Sequence, residues 1–251
     1  MERLKDKIAV ITGASSGIGA GIAALFAKEG AAVVVNYRKS KDSAEKVVEA
    51  IKGMGQDAIA IQADMANKAD IGRLIATTLS EFGRIDIWIN NAGADILTGA
   101  GASAKLDEKL EQLLNVDLKG TMNACWSVTS TMQAQGSGVI VNMGWDLATH
   151  GFEGTNPQIF AASKAGVLGF TRSFAKTVGP QIRVNMVSPG WIATSFAEEH
   201  MQDEYFQARI KEIPLGRFGK PEDVAAAVVF LASDESSYLS GESININGGL
   251  V

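Results

Sequence analysis

The sequence predicts an α/β protein: one parallel sheet of seven strands with helices on both faces, in a single domain spanning residues 1–251. Three observations carry this. Short apolar runs alternate with amphipathic stretches from end to end, as strand–helix units do. A glycine-rich stretch, Thr12–Gly19, lies between the first apolar run and the first helical pattern. The chain has 251 residues, 46% hydrophobic and 20% charged, enough for one large core.

Taken in order, Ile8–Ile11 reads as a buried strand, and Ile22, Leu25 and Phe26 recur at helical spacing after the glycines. Ala31–Asn36 is the second strand, and Ala44, Val47, Val48 and Ile51 form a helical stripe. Ala58–Ile61 is the third strand. Ile71, Leu74, Ile75, Leu79 and Phe82 mark a helix with Asn67 as its cap and Gly83 as its stop. Ile85–Ile89 is the fourth strand, and Leu106–Gln135 one long helix with an interruption near Asn115. Val139–Val141, Ile182–Val187 and Ser243–Ile246 complete the sheet, separated by helices over Ala161–Val178 and Pro221–Leu231. No linker, repeat or low-complexity segment divides the chain.

Composition excludes several function classes. The formal net charge is -5 with no Lys/Arg cluster, which argues against a nucleic-acid surface. No apolar run reaches the roughly 20 residues that span a bilayer. The single cysteine, Cys125, rules out a disulfide framework, and with no secretory segment a cytoplasmic setting is expected. The two histidines, His150 and His200, are far apart, and no cluster has metal-ligand spacing, so no metal is expected.

The run Thr12-Gly13-Ala14-Ser15-Ser16-Gly17-Ile18-Gly19 sits between strand and helix near the N-terminus, which makes it a strong dinucleotide signal. Glycine lets backbone approach a phosphate, and the helix N-terminus then presents free N–H groups to it. This makes the fold Rossmann-type. At the end of the second strand a carboxylate would accept the ribose 2′-hydroxyl of NAD. Here Asn36 stands there, followed by Arg38 and Lys39, and a guanidinium clamps a 2′-phosphate. The expected cofactor is therefore NADP, with NADPH preferred over NADH and Arg38 as the main phosphate contact. Asp64-Met65 and Asn90-Asn91-Ala92-Gly93 follow the third and fourth strands, at the sheet edge where such folds bind ligands.

Together with Asn115, Ser188-Pro189-Gly190 and Asn247-Gly248-Gly249, these motifs resemble the short-chain dehydrogenase/reductase family across essentially the whole chain. The run Pro214–Asp223 is similar to the acyl-carrier-type ketoreductase branch. The resemblance implies that Gly13, Ser15, Ser16, Gly17, Ile18 and Gly19 hold the pyrophosphate end, and that Asp64 and Met65 hold the adenine. It places Asn91, Ala92 and Gly93 at the adenosine ribose, and Pro189, Gly190, Ile192 and Thr194 at the nicotinamide carboxamide. It also implies a substrate lid over about 193–213 and a homotetramer.

The resemblance breaks at the reaction centre. The family uses Asn, Ser, Tyr and Lys, the Tyr giving a proton to the substrate oxygen. The Tyr-x-x-x-Lys motif here reads Phe160-Ala161-Ala162-Ser163-Lys164, and Phe160 has no ionisable group. Gly144 and Trp145 occupy the serine positions, and the loop from Trp145 to Phe160 is expected to be remodelled. Asn115 and Lys164 match the family, and Lys164 is left to hold the nicotinamide ribose. A substitute acid is sought in His150 or Asp146, in the loop leaving the fifth strand, or in water. Tyr37 belongs to the adenosine end, Tyr238 is remote, and Tyr205 falls in the lid. Two functions follow from these residues. One is an NADP-dependent reductase of ketones or 3-oxoacyl groups with a non-standard proton donor. The other is a catalytically silent NADP-binding subunit or sensor, alone or in a mixed oligomer with an active paralogue.

Overall fold

The computed structural model describes residues 2–97, 99–194 and 203–251. Seven strands form one sheet: β1 (Ile8–Ile11), β2 (Ala32–Tyr37), β3 (Ala58–Gln62), β4 (Ile87–Asn90), β5 (Gly138–Met143), β6 (Ile182–Pro189) and β7 (Ser243–Ile246). Every neighbouring pair is parallel, in the order β3-β2-β1-β4-β5-β6-β7. The expected seven-stranded, doubly wound sheet is therefore what forms. Winding reverses between β1 and β4, which opens a crevice at the carboxyl ends of those strands.

Alternate strand residues feed two separate cores, because strand side chains point to opposite faces. Ile11, Val33, Val35, Ile89 and Val141 pack with Ile22 and Phe26 of α1 (Gly17–Lys28) and Val228 of α9 (Pro221–Ala232). Val10, Val34, Trp88, Ile140 and Val184 face the other way, onto Leu74 of α3 (Lys68–Phe82), Val128 of α6 (Thr121–Gln135) and Phe174 of α7 (Thr155–Val178). Burial on both faces explains why the strands read as continuous apolar runs.

Local signals act as the sequence suggests. The Asn67 side chain accepts from Ala69 N at 2.9 Å, capping α3, and Gly83 ends that helix at φ 76. The interruption near Asn115 is a π-helix, Leu114–Gly120, between α5 (Leu106–Leu113) and α6. The structure extends one expected helix at its start and adds two more. α7 starts at Thr155, ahead of Ala161, with Pro157 in its first turn. Two further helices are α4 (Gly99–Ser103) and α8 (Asp203–Glu212). α2 (Lys41–Gly53) follows β2 as expected.

Of the lid segment over about 193–213, residues 195–202, His200 among them, lie outside the described residues. Among the described residues no helix is long and apolar enough to cross a membrane. Nor does any group of three or more His, Cys, Asp or Glu side chains come together in a way that holds a metal.

Candidate active site

The glycine turn is held in place by neutral polar side chains. Gly13 and Gly17 have φ of 62 and 54, a left-handed backbone that glycine adopts without strain. Buried Asn36 accepts from Gly13 N at 3.2 Å and donates to Ile61 O at 3.2 Å and Ala63 O at 3.1 Å. It thus ties β1, β2 and β3 together below the turn, so its amide is already committed within the protein. Asn91 Nδ2 donates to Thr12 O at 2.8 Å and Gly13 O at 3.1 Å. Thr12 Oγ1 accepts from Asn91 N at 2.9 Å and Ala92 N at 3.0 Å. Asn91 and Ala92 therefore clamp the turn onto β4.

This arrangement fits an anion. Ser16, the N-cap of α1, makes no side-chain cap bond, and the first turn carries no acidic residue. The N-terminal N–H groups of α1 are left facing the crevice. A Cβ on Gly19 would lie 2.5 Å from Asn91 Nδ2 and 2.9 Å from Ala14 Cα, so only glycine keeps the turn this close to the helix. Ser15 and Ile18 lie on the same turn, half-buried.

The other expected adenosine-end residues line the same sheet edge. Arg38 and Lys39 are exposed just beyond β2, and Arg38 forms no ion pair among the described residues. Asp64, at the end of β3, turns inward on its own loop: Oδ1 accepts from Ala66 N at 2.9 Å. Met65 is buried, and its carbonyl meets the backbone of Gly120, where a Cβ would approach to 2.6 Å. Asn90 points into the core. It accepts from Trp88 Nε1 at 2.7 Å and donates to Asn142 Oδ1 at 2.9 Å, and Asn142 donates to Thr171 Oγ1 at 2.8 Å. Cys125 lies against these amides, and burial pushes its thiol up to about 12, which makes it unreactive.

Across the crevice, Pro189 ends β6. Gly190 N donates to Ile246 O at 3.0 Å, and Ile192 bridges to Gly219. Thr194 reaches the glycine turn: a Cβ on Gly17 would lie 3.6 Å from its methyl. The two ends of the expected dinucleotide site are thus contiguous in space.

The Trp145 and Phe160 rings meet edge-on, centroids 5.2 Å apart at 67°. Lys164 Nζ lies 5.5 Å from the Phe160 ring centroid. The ammonium is buried, donates to Met143 O at 3.1 Å and pairs with Asp117 Oδ2 at 2.9 Å. That oxygen receives no directed hydrogen bond, so the contact is one of charge. Asp117 Oδ1 accepts from Ala94 N at 2.8 Å, which ties the pair to the loop after β4 and leaves Gly93 against the carboxylate.

Asn115 is not in this cluster. Its Oδ1 accepts from Lys119 Nζ at 3.1 Å on the exposed side. Asp117, two positions on in the same π-helix, is what turns toward Lys164. Asp117 escaped the sequence reading. The available signal was a carboxylate at the expected interruption of a helix facing a buried lysine.

The loop candidates are held elsewhere. His150 is exposed, with Nδ1 3.3 Å from Asp146 O and from Thr149 Oγ1. Asp146 is buried. Its Oδ1 accepts from Leu147 N at 2.9 Å and its Oδ2 from Asn247 Nδ2 at 3.2 Å, beside Gly190. Burial raises its carboxyl above the usual range, against the lowering effect of the Asn247 bond. Among the tyrosines, Tyr37 is buried in the core, Tyr238 is exposed, and Tyr205 packs edge-on to Trp191 at 6.1 Å. Trp191 also stacks on Phe218 at 5.9 Å and meets Phe152 at 6.0 Å, forming an aromatic wall under α8.

Comparison with known proteins agrees with this geometry. A family model described as enoyl-(acyl carrier protein) reductase matches residues 13–251. The chain is 39% identical over 246 residues to the 3-oxoacyl-[acyl-carrier-protein] reductase FabG of Staphylococcus aureus, covering 97% of this chain and 98% of that one. It is 40% identical over 251 residues to the enzyme of that name from Thermotoga maritima, covering 99% of each. Among solved structures, a short-chain dehydrogenase from Burkholderia cenocepacia in complex with NADP superposes with a TM-score of 0.88 at 35% identity, covering 99% of both chains.

Proposed function

Because the chain belongs to the short-chain dehydrogenase/reductase family, an oxidoreductase family, we propose that it is an NADPH-dependent reductase of ketone or 3-oxoacyl substrates whose proton donor is not a phenol. The observation that carries this reading is that Thr194, beyond the end of β6, lies over the glycine turn, so close that a Cβ on Gly17 would sit 3.6 Å from its methyl. The NADP-bound Burkholderia neighbour supports the cofactor. Gly13, Ser15, Ser16, Gly17, Ile18 and Gly19 would take the pyrophosphate, and Arg38 the 2′-phosphate. Asp64, Met65, Asn91, Ala92 and Gly93 would line the adenosine half, and Pro189, Gly190, Ile192 and Thr194 the carboxamide. A reduced nicotinamide bound there would supply hydride to the carbonyl carbon and leave oxidised. The chain's own residues position the carbonyl and complete the proton transfer.

In this reading Phe160 and Trp145 stand where relatives carry hydroxyls, and their rings form an apolar wall that excludes water from the carbonyl. Neither Asp146 nor His150 is our choice of acid, because Asp146 is held by Leu147 and Asn247 and His150 by its own loop. The lid over about 193–213 would close over the substrate. We also propose a homotetramer in the cytoplasm. Trp126 is 52% exposed and meets Phe170 at 5.7 Å, which leaves an apolar face on α6 and α7. Light scattering at a mass four times that of the chain is the expected result, and a monomer would refute it.

The test is to mix the protein with NADPH and a panel of ketones and 3-oxoacyl thioesters and follow nicotinamide absorbance. Substrate-dependent oxidation is expected. Tight NADPH binding without turnover on any member would instead identify a silent NADP-binding subunit.

A further inference from the structure

We infer that the ammonium of Lys164 is itself the proton donor to the substrate oxygen, with Asp117 as the positioning residue that keeps it in place. The inference rests on the reductase reading above. Lys164 is the ionisable group that meets the Phe160 ring, and Phe160 in turn meets Trp145. Of its three N–H donors, one is given to Met143 O and another faces Asp117. At most one remains for a ligand. That is too few to clamp two ribose hydroxyls, as the family resemblance implies, but enough to serve one oxygen.

Other charged groups on elements packed against α7 do not compete for this position. Asp146 is held by Leu147 and Asn247, and Lys109 donates to Asn156 Oδ1 at 3.3 Å. Arg183 donates to the carbonyls of Leu231 and Ser233. Lys119 is exposed and bonded to Asn115, and Asp107, Glu108 and Glu111 of α5 are exposed.

The step balances. As the carbonyl carbon gains hydride, the C=O π pair moves to oxygen. The Lys164 Nζ–H bond breaks and an O–H bond forms, giving the alcohol and a neutral amine. Water then returns a proton to the amine. Asp117 stays ionised throughout, and its fixed carboxylate prevents the lysine chain from swinging away. An amide at this place would position less well, because it carries no charge to hold the ammonium.

The test compares Lys164→Met, Lys164→Arg and Asp117→Asn with wild type in kcat, KM and NADPH affinity by calorimetry. Lys164→Arg keeps a cation beside Asp117 and so keeps the fold. We expect it to lose about 10²–10⁴-fold in kcat while NADPH Kd moves by less than about threefold. Lys164→Met should lose as much. In a further variant, Lys164→Ala, ethylammonium should restore turnover, and tetramethylammonium, which has charge but no N–H to give, should not. Asp117→Asn should lower kcat at unchanged KM. A Lys164→Arg enzyme with wild-type kcat would overturn the inference alone. So would a loss confined to NADPH Kd, or equal rescue by both ammonium ions. A wild-type protein inactive on every ketone would overturn the reductase reading and this inference together.

Discussion

At the glycine-turn end of the crevice the buried polar groups are neutral. Asn36, Asn91 and Thr12 fix the turn through hydrogen bonds to backbone atoms. At the other end an ammonium and a carboxylate are buried 2.9 Å apart, with the ammonium beside the Met143 carbonyl and the Phe160 ring. The first end is a rigid frame that a ligand can meet without rearrangement. The second holds charge in a dry place, where each partner depends on the other and where one proton remains to be given. Neutral amides tolerate the loss of one bond at modest cost, whereas a buried charge left alone does not.

The sharpest way to break this contrast is Asp117→Ala. It strands the Lys164 ammonium, so urea unfolding should show a loss of about 3–5 kcal/mol. A loss below about 1 kcal/mol would mean the pair is solvated. Arg38→Ala should weaken NADPH binding by about 1.5–3 kcal/mol, the worth of a hydrogen bond to a charged group. NADH affinity should stay unchanged, and calorimetry with both cofactors separates the two. Gly19→Ala forces a Cβ against Asn91 Nδ2 at 2.5 Å and should destabilise the protein by about 1–3 kcal/mol. NADPH affinity should fall with it, as thermal melts with and without cofactor would reveal.

The smallest effect concerns Asp146. Its carboxyl is raised in the folded state by burial, so the native protein keeps that proton to higher pH than the unfolded chain does. Its contribution is most favourable below the ordinary carboxylate range and declines as pH rises through the window up to the raised value. Asp146→Asn should remove that decline. Melting curves of both proteins from about pH 3 to about pH 7 should then diverge in the variant's favour as pH rises.

Legibility in the sequence follows the same division. The sheet, the winding and the glycine turn were readable because they rest on local patterns: apolar runs, caps such as Asn67, stops such as Gly83. α8 was not, because none of its residues is buried and no apolar stripe announces it. The start of α7 was hidden by Pro157, which reads as a loop residue yet is tolerated in a first turn. At the reaction end, Lys164, Trp145 and Phe160 converge as the motif spacing implied. Asp117 was missed because a regular 3.6-residue period gives no sign of the π-helix in which it lies. Asn115, expected from the family resemblance, accepts from Lys119 instead.

The proposed contrast, a cofactor-binding end beside a reaction end built on Lys164, Phe160 and Trp145, turns first on whether the binding end works. Calorimetric titration of the wild-type protein with NADPH and with NADH measures this directly. One site per chain, with NADPH bound at least about tenfold more tightly, is the expected result. No heat with either cofactor, or equal affinity for both, would contradict the account.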